Sequence, residues 1–195
     1  MRADDHCLDV LFRNARSQNA WQDKTIPDTQ LHELHELARM GPTCANSNPA
    51  RFMFVKSPEA KNALANMVTP GNIDKVLSAP VTAIIGYDCK FHEHLPQLFA
   101  HNPDMQTMYA SDSPLAETTA FRNSSLQGAY LMFAARALGL DCGPMSGFRN
   151  AKVDAHFFAD SSVKSNFICG IGYGDPSKLF DRLPRLEFDQ ACRIL

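Results

Sequence analysis

The chain lacks a dominant charge, a long apolar run and any paired-cysteine pattern, and each absence removes a class of function. Nineteen Lys and Arg stand against 21 Asp and Glu in 195 residues, for a net charge of −2 and a pI near 6.4. No basic field exists to hold nucleic acid, and no polybasic run favours an acidic membrane surface. No apolar run approaches the ~20 residues of a spanning helix. The start, Met1-Arg2-Ala3-Asp4-Asp5-His6, has none of the apolar core of a signal peptide. Six cysteines at 7, 44, 89, 142, 169 and 192 form no C-x-x-C pair and no zinc spacing. Free thiols in a cytoplasmic protein are expected.

Catalytic signatures are missing too. There is no G-x-S-x-G and no cysteine in an activating local context. Asp88, Asp112 and Glu117 form no evident carboxylate pair. His32-Glu33-Leu34-His35-Glu36 imitates H-E-x-x-H, but its histidines are three apart rather than four, and a solvated helix face explains them. The histidines of His92-Glu93-His94 point different ways on a helix or strand, so no metal site is expected. Gly170-Ile171-Gly172-Tyr173-Gly174 follows a strand, but the G-x-G-x-x-G register fails and Pro176 stands where a helix should open. A dinucleotide fold is therefore not expected. If the protein is an enzyme, a cofactor must carry the chemistry.

What is present is an ordinary globular composition, 45% hydrophobic and 21% charged, long enough for a real core and read as a single domain over 1–195. Leu8, Leu11, Phe12 and Ala15 share one helical face, predicting a helix from Asp4 to Ala15. Asp28 reads as an N-cap, with Leu31, Leu34, Leu37 and Ala38 as the buried face and Gly41-Pro42 as the stop. Arg51–Lys56 reads as a strand. Ser57-Pro58 opens a helix to Met67, and 71–78 holds a further short helix. Val81–Tyr87 is a near-continuous apolar run, as in a strand covered on both faces. Phe91 to Pro114 has three prolines and no period, which predicts a functional loop or lid. Ser113–Leu138 is the longest helix, with Leu126, Ala129, Tyr130, Phe133, Ala134, Ala137 and Leu138 as its expected buried stripe and Gly139 as its C-terminal cap. Gly143–Phe148 reads as a turn-rich loop, Asn150 as the cap of a helix to Phe158, and Asn166–Ile171 as a strand. The order predicts a mixed α+β sandwich.

The stretch Gly41–Phe52 carries polar and small residues between Pro42 and Pro49, and each proline stiffens its surroundings. It reads either as a plain connecting loop or as a rigid grip for a planar, hydrogen-bonding ligand. Arg13, Arg16 and Ser17 could join Lys178, Arg182 and Arg185 in an anion site, or be scattered surface charge. Charge-assisted bonds to phosphate contribute ~1.5–3 kcal/mol each. Association costs on the order of 4–15 kcal/mol, so a bound nucleotide would need its ring held as well.

Three segments resemble the FMN-dependent nitroreductase superfamily. Ala15-Arg16-Ser17-Gln18-Asn19 is similar to that family's R-R-S-x-R phosphate motif. Pro42-Thr43-Cys44-Ala45-Asn46-Ser47-Asn48-Pro49 is similar to its P-S-x-x-N-x-Q-P loop. Gly172-Tyr173 with Lys178, Arg182 and Arg185 resembles its C-terminal G-Y and basic segment. The stretches 119–125, 139–141, 143–148 and 172–178 are closest to the malonic semialdehyde reductase and NADH dehydrogenase/NAD(P)H nitroreductase branch, and the likeness spans essentially the whole chain. Ala15, Asn19 and Asn48 depart from the family residues, and Arg13 stands one turn back from the first lost arginine.

The resemblance implies a central, mostly antiparallel sheet flanked by helices in a domain-swapped-like homodimer with FMN at the interface. It implies hydride transfer from NADH or NADPH through flavin N5 to a small acceptor, malonic semialdehyde (3-oxopropanoate) or a nitroaromatic or quinone, in a ping-pong cycle. The alternative is a flavin-binding or flavin-remodelling protein of the same fold. Arg16, Ser17 and Arg182 or Arg185 would hold the phosphate, with Lys178 in the same basic segment and Asn19 at the ribityl end. Pro42, Thr43, Ala45, Asn46 and Asn48 would contact the ring or ribityl groups. Pro144, Met145, Ser146 and Gly147 would cover one face, with backbone N–H groups toward N5–O4. Segment 91–114 would be a lid, and Arg122 and Tyr109 are substrate-binding candidates. Cys44 has no assigned role.

Overall fold

The structure, a computed structural model, describes residues 2–195. The N-terminal helix is shorter than its periodicity predicts. α1 (Asp5–Leu8) runs into a π-helical turn, Asp9–Arg13, and the helical path stops there. α2 (Asp28–Ala38) follows; Pro27 occupies the cap position and Asp28 is the first helical residue. Its carboxylate instead meets Lys56 Nζ at 2.5 Å. β1 (Ala50–Val55) leads to α3 (Pro58–Ala65), where Ser57 accepts from the Ala60 N–H at 3.2 Å as a proper N-cap. α4 (Ile73–Ser78) and β2 (Val81–Asp88) come next.

The aperiodic excursion is not a structureless loop. Phe91–His94 forms a 3₁₀ turn, followed by α5 (Leu95–Leu98) and α6 (Asp104–Ser111). Phe91, Leu95 and Tyr109 are buried there with Tyr87, Ala116 and Ala120. Prolines at helix starts hid these short helices, because proline fits the first turn while erasing longer periodicity. α7 (Ser113–Ala137) is the longest helix, and Asp112 caps it by accepting from the Leu115 N–H at 2.9 Å. Gly139, at φ +74°, turns the chain out of it. The predicted loop after it opens instead as a strand, β3 (Asp141–Met145). α8 (Asn150–Phe157) is capped at Arg149 rather than Asn150. The Asn150 amide reaches across to the Ser165 carbonyl at 2.9 Å. β4 (Val163–Gly172) is longer than expected, and α9 (Phe188–Ala191) lies in the tail.

The four strands form one sheet in the order β1-β2-β4-β3, every neighbouring pair antiparallel. Val81, Ala83 and Ile85 of β2 face α2 and α7, in one core with Leu31, Leu34, Leu131 and Ala135. Ile84, between them, faces the opposite core with Leu64, Val76, Val153 and Ile168. This period-2 split makes a three-layer α+β sandwich.

The buried stripe of α7 is rotated from the expected one. Ala116, Ala120, Ser124, Gly128, Ala134 and Ala135 lie inward, while Leu126 and Tyr130 are 48% and 40% exposed. Small residues let the helix approach the sheet: a Cβ on Gly128 would stand 2.5 Å from the Phe167 ring. Close approach thus outranks side-chain bulk along much of the helix: Leu126 and Tyr130 face away from the core, while Leu131 and Ala134 remain inside it. Leu37, expected inside, is likewise exposed on α2.

Candidate functional site

The segment after the π-helical turn is stitched to the outer edge of β3. The Gln18 N–H donates to the Cys142 carbonyl at 2.9 Å, and Ser17 bridges to the same residue. Gly143 makes this possible, since a Cβ there would stand 2.4 Å from the Gln18 carbonyl oxygen. The tail then folds back. Arg182 Nη2 donates to the carbonyls of Arg13 and Ala15 at 2.6 and 3.0 Å. Arg16 donates to the carbonyl of Phe180. The result is a pocket of about 430 Å³ whose walls include Arg16, Ser17, Asn19, Arg182 and Arg185. Residues about 165 positions apart thereby meet. Lys178, in the exposed turn Pro176–Lys178, does not line it.

A fourth arginine completes the wall, and sequence reasoning missed it. Arg136, at the end of α7, donates to the Leu11 carbonyl at 3.1 Å. Its Nε is buried without a hydrogen-bond partner. None of Arg16, Arg136, Arg182 and Arg185 forms an ion pair with a carboxylate of the described residues. Asp181 is the one acidic residue of the lining. Four guanidinium groups facing one carboxylate make a site for a polyanion such as a phosphate monoester.

The proline-flanked loop lies elsewhere. Cys44–Asn46 makes a single 3₁₀ turn, and Ala45, Asn46 and Asn48 all hold positive φ, 49°, 47° and 42°. Asparagine tolerates this region; alanine there costs ~1–2 kcal/mol. Surrounding bonds hold the strained turn. The Cys44 N–H donates to Asn123 Oδ1 at 2.8 Å, and the Asn48 N–H donates to Thr43 Oγ1 at 3.1 Å. Arg51 Nη1 donates to the Asn48 carbonyl at 3.0 Å while its Nη2 meets Asp88 at 2.7 Å. Burial alone would push the Asp88 carboxyl up, but the Ser162 hydroxyl, the Lys90 N–H and Arg51 outweigh it and hold it below the ordinary range. Asn46 Nδ2 donates to the Leu98 carbonyl of α5 at 2.9 Å.

Thr119, Asn123 and Gln127 stand four residues apart on α7, all buried. That stride of hydrogen-bonding side chains inside a helix is the signal that could have found Asn123 and Gln127. Tyr109, also buried, sits 3.6 Å from Cys44 Sγ and edge-on to Phe91. Burial, then the Cys44 contact, raises its phenol above the usual value, so it remains a proton-bearing hydroxyl. Arg122 is exposed on α7. Pro144 and Ser146 are exposed at the end of β3 and beyond it, whereas the Met145 side chain is buried in the core under β4. The Gly147 carbonyl accepts from the Thr69 N–H at 2.8 Å and from Asn72 Nδ2 at 3.1 Å.

The arginine pocket and the amide loop do not meet within one chain. Gln127, at the loop, and Arg136, at the pocket, are about two and a half turns apart on α7, roughly 14 Å along its axis and on opposite sides. All six cysteines are free thiols. Among the described residues no helix is long and apolar enough to cross a membrane, and no cluster of three or more His, Cys, Asp or Glu side chains could hold a metal ion.

A helix-covered antiparallel sheet with an arginine-walled pocket at one edge and a strained amide loop near its long helix describes one class of protein. The chain belongs to the nitroreductase family, whose model matches residues 13–173. A protein of Burkholderia lata is 59% identical over 190 residues, covering 97% of each chain. One of Ralstonia pickettii is 56% identical over 189 residues, covering 96% of each. Both carry the name "Putative NADH dehydrogenase/NAD(P)H nitroreductase". A protein from Exiguobacterium sibiricum solved in complex with FMN has the same fold, with a TM-score of 0.88 at 19% identity over 100% of this chain and 99% of its own.

Proposed function

We propose that this protein is an FMN-dependent oxidoreductase that takes hydride from NADH or NADPH and passes it to a small acceptor. The observation that carries the reading is the arginine pocket: four guanidinium groups without carboxylate partners, beside the Arg16–Asn19 segment. Bound FMN supplies a hydride-accepting and hydride-donating N5 centre. The chain's own residues bind and orient. Arg16, Ser17, Arg136 and Arg182 hold the phosphate monoester, with Arg185 at the pocket wall and Asn19 toward the ribityl chain. Pro42, Thr43, Ala45, Asn46 and Asn48 present a rigid row of amide and backbone groups to the ring's polar edge. Pro144, Ser146 and the backbone of Met145 and Gly147 cover a ring face.

The separation of pocket and loop across α7 supports a homodimer in which the pocket of one protomer is completed by the loop of its partner. The outward apolar face of α7, with Leu126 and Tyr130, and the exposed Leu183, Leu186 and Phe188 of the tail are surfaces such a dimer would cover. In it, segment 91–114 lies over the partner's site. The acceptor is a small electrophile, a nitroaromatic, a quinone or malonic semialdehyde. The exposed, unpaired guanidinium of Arg122 supports the carboxylate-bearing semialdehyde. Reconstituting apoprotein with FMN tests the site: one FMN per chain in a dimeric species is expected. A monomer that binds FMN at full stoichiometry contradicts the shared site.

A further inference from the structure

Asn48, Asn46 and Gln127 form a directional chain of side-chain amides. The Ala50 N–H donates to Gln127 Oε1 at 2.8 Å. Gln127 Nε2 donates to Asn48 Oδ1 at 3.3 Å. Asn48 Nδ2 donates to Asn46 Oδ1 at 2.9 Å and to the Asn46 carbonyl at 2.7 Å. Asn46 Nδ2 donates to the Leu98 carbonyl. Both ends are fixed by backbone: an N–H can only donate and a carbonyl can only accept. Every amide between them therefore has one permitted orientation, and a flip at any link would set oxygen against oxygen or N–H against N–H. Gln127 is 4% exposed, whereas Asn48 is half-buried and Asn46 exposed at the loop surface.

We propose that Gln127 is a positioning residue, which through Asn48 fixes the direction of the Asn46 amide presented to the flavin. The proposal rests on the FMN reading above. It also links the loop to α5, because the chain ends on the Leu98 carbonyl. Asn46 Nδ2 keeps its second N–H free, so the relay offers a donor to the ring's polar edge; loss of Gln127 leaves Asn48 and Asn46 held only by the Asn46 and Leu98 carbonyls and loosens the direction of that donor.

The test uses the full-length protein with Gln127→Met and Gln127→Glu. Three quantities are read: the FMN dissociation constant, the visible bands of bound FMN, and hydrogen exchange of apoprotein amides at 43–48. Q127M is expected to bind FMN at least tenfold more weakly, with shifted bands and faster exchange in the loop. In Q127E the ionised carboxylate accepts from the Ala50 N–H but cannot donate to Asn48; the protonated acid does both. Lowering the pH should therefore return Q127E toward wild-type affinity and bands, measured against wild type over the same range. Arg51 on β1, which donates to the Asn48 and Ala50 carbonyls, and its partner Asp88 on β2 are the charges that reach this chain of amides, and they are common to both proteins. Wild-type affinity and bands in Q127M overturn the relay. Should Q127M fail to fold, a Q127E affinity that tracks wild type at every pH overturns it. Wild type that takes up no FMN overturns the functional reading and the relay with it; wild type that binds FMN while the variants match it overturns the relay alone.

Discussion

Replacing Arg136 by methionine should separate what the pocket does for the fold from what it does for a ligand. Methionine keeps an unbranched apolar stem and removes the guanidinium. Two folded-state effects oppose one another. The bond to the Leu11 carbonyl at 3.1 Å is lost, and a hydrogen bond from a charged donor contributes ~1.5–3 kcal/mol. The buried, partnerless Nε also goes, and an unsatisfied buried donor costs ~1–3 kcal/mol. The two nearly cancel, so apoprotein melting should move by no more than about 3 °C. Ligand binding has no such compensation. One charge-assisted bond to phosphate lost, ~1.5–3 kcal/mol, weakens FMN binding by roughly 10–150-fold. Riboflavin lacks the phosphate and should lose less than about threefold. Fluorescence titration of apoprotein with both flavins, beside a calorimetric melt, reads all three quantities. Equal losses for FMN and riboflavin would refute the phosphate assignment, and a melting drop above about 10 °C would show Arg136 to be structural.

Asp88→Ala should cost about 3 kcal/mol, since it strands Arg51 and the Ser162 hydroxyl in partly buried surroundings; chemical denaturation reads it, and a loss under about 1 kcal/mol would contradict the ion pair's role. Because the folded-state carboxyl titrates below its usual range, Asp88's contribution is complete above about pH 4 and is lost as pH falls through the lowered value. Asp88→Asn should therefore flatten the acid limb of the stability curve and leave the alkaline side unchanged. Ala45→Gly relieves a strained φ of 49° against added unfolded-state entropy, so apoprotein stability should rise by up to about 1 kcal/mol while FMN affinity does not improve. Arg122→Ala should reduce turnover of malonic semialdehyde selectively; equal loss on a nitroaromatic would remove the carboxylate role.

The fold was legible where one physical demand dominated. Val81–Tyr87, apolar but for Thr82, is the doubly covered strand β2, and Ser57-Pro58 opens α3 as its cap chemistry requires. Legibility failed where demands competed. In α7 Leu126 and Tyr130 of the expected stripe pointed away from the core while Ala134 lay in it, because backbone proximity to Phe167 requires Gly128 and its small neighbours inside. Proline-started α5 and α6 were too short to show a period. β3, carrying Gly143 and Pro144, read as a turn, although its partners on β4 make it an edge strand. At the site, Arg16, Ser17, Arg182 and Arg185 of the expected anion group line one pocket together with Asn19, whereas Arg13 pairs with Asp5 and Asp9 outside it. Arg136 was hidden, since only the packing of the 9–13 turn against the end of α7 brings it to them. Lys178 belonged to the same basic run but falls outside the pocket.

Hydride transfer through bound FMN is open to one direct measurement. Purified protein is followed at the visible flavin bands under anaerobic conditions while NADH or NADPH is added. A yellow protein bleached by at least one of the two is expected, with colour restored on adding an electron acceptor. Colourless protein that cannot be reconstituted with FMN contradicts the cofactor, and yellow protein that neither nucleotide bleaches contradicts the oxidoreductase.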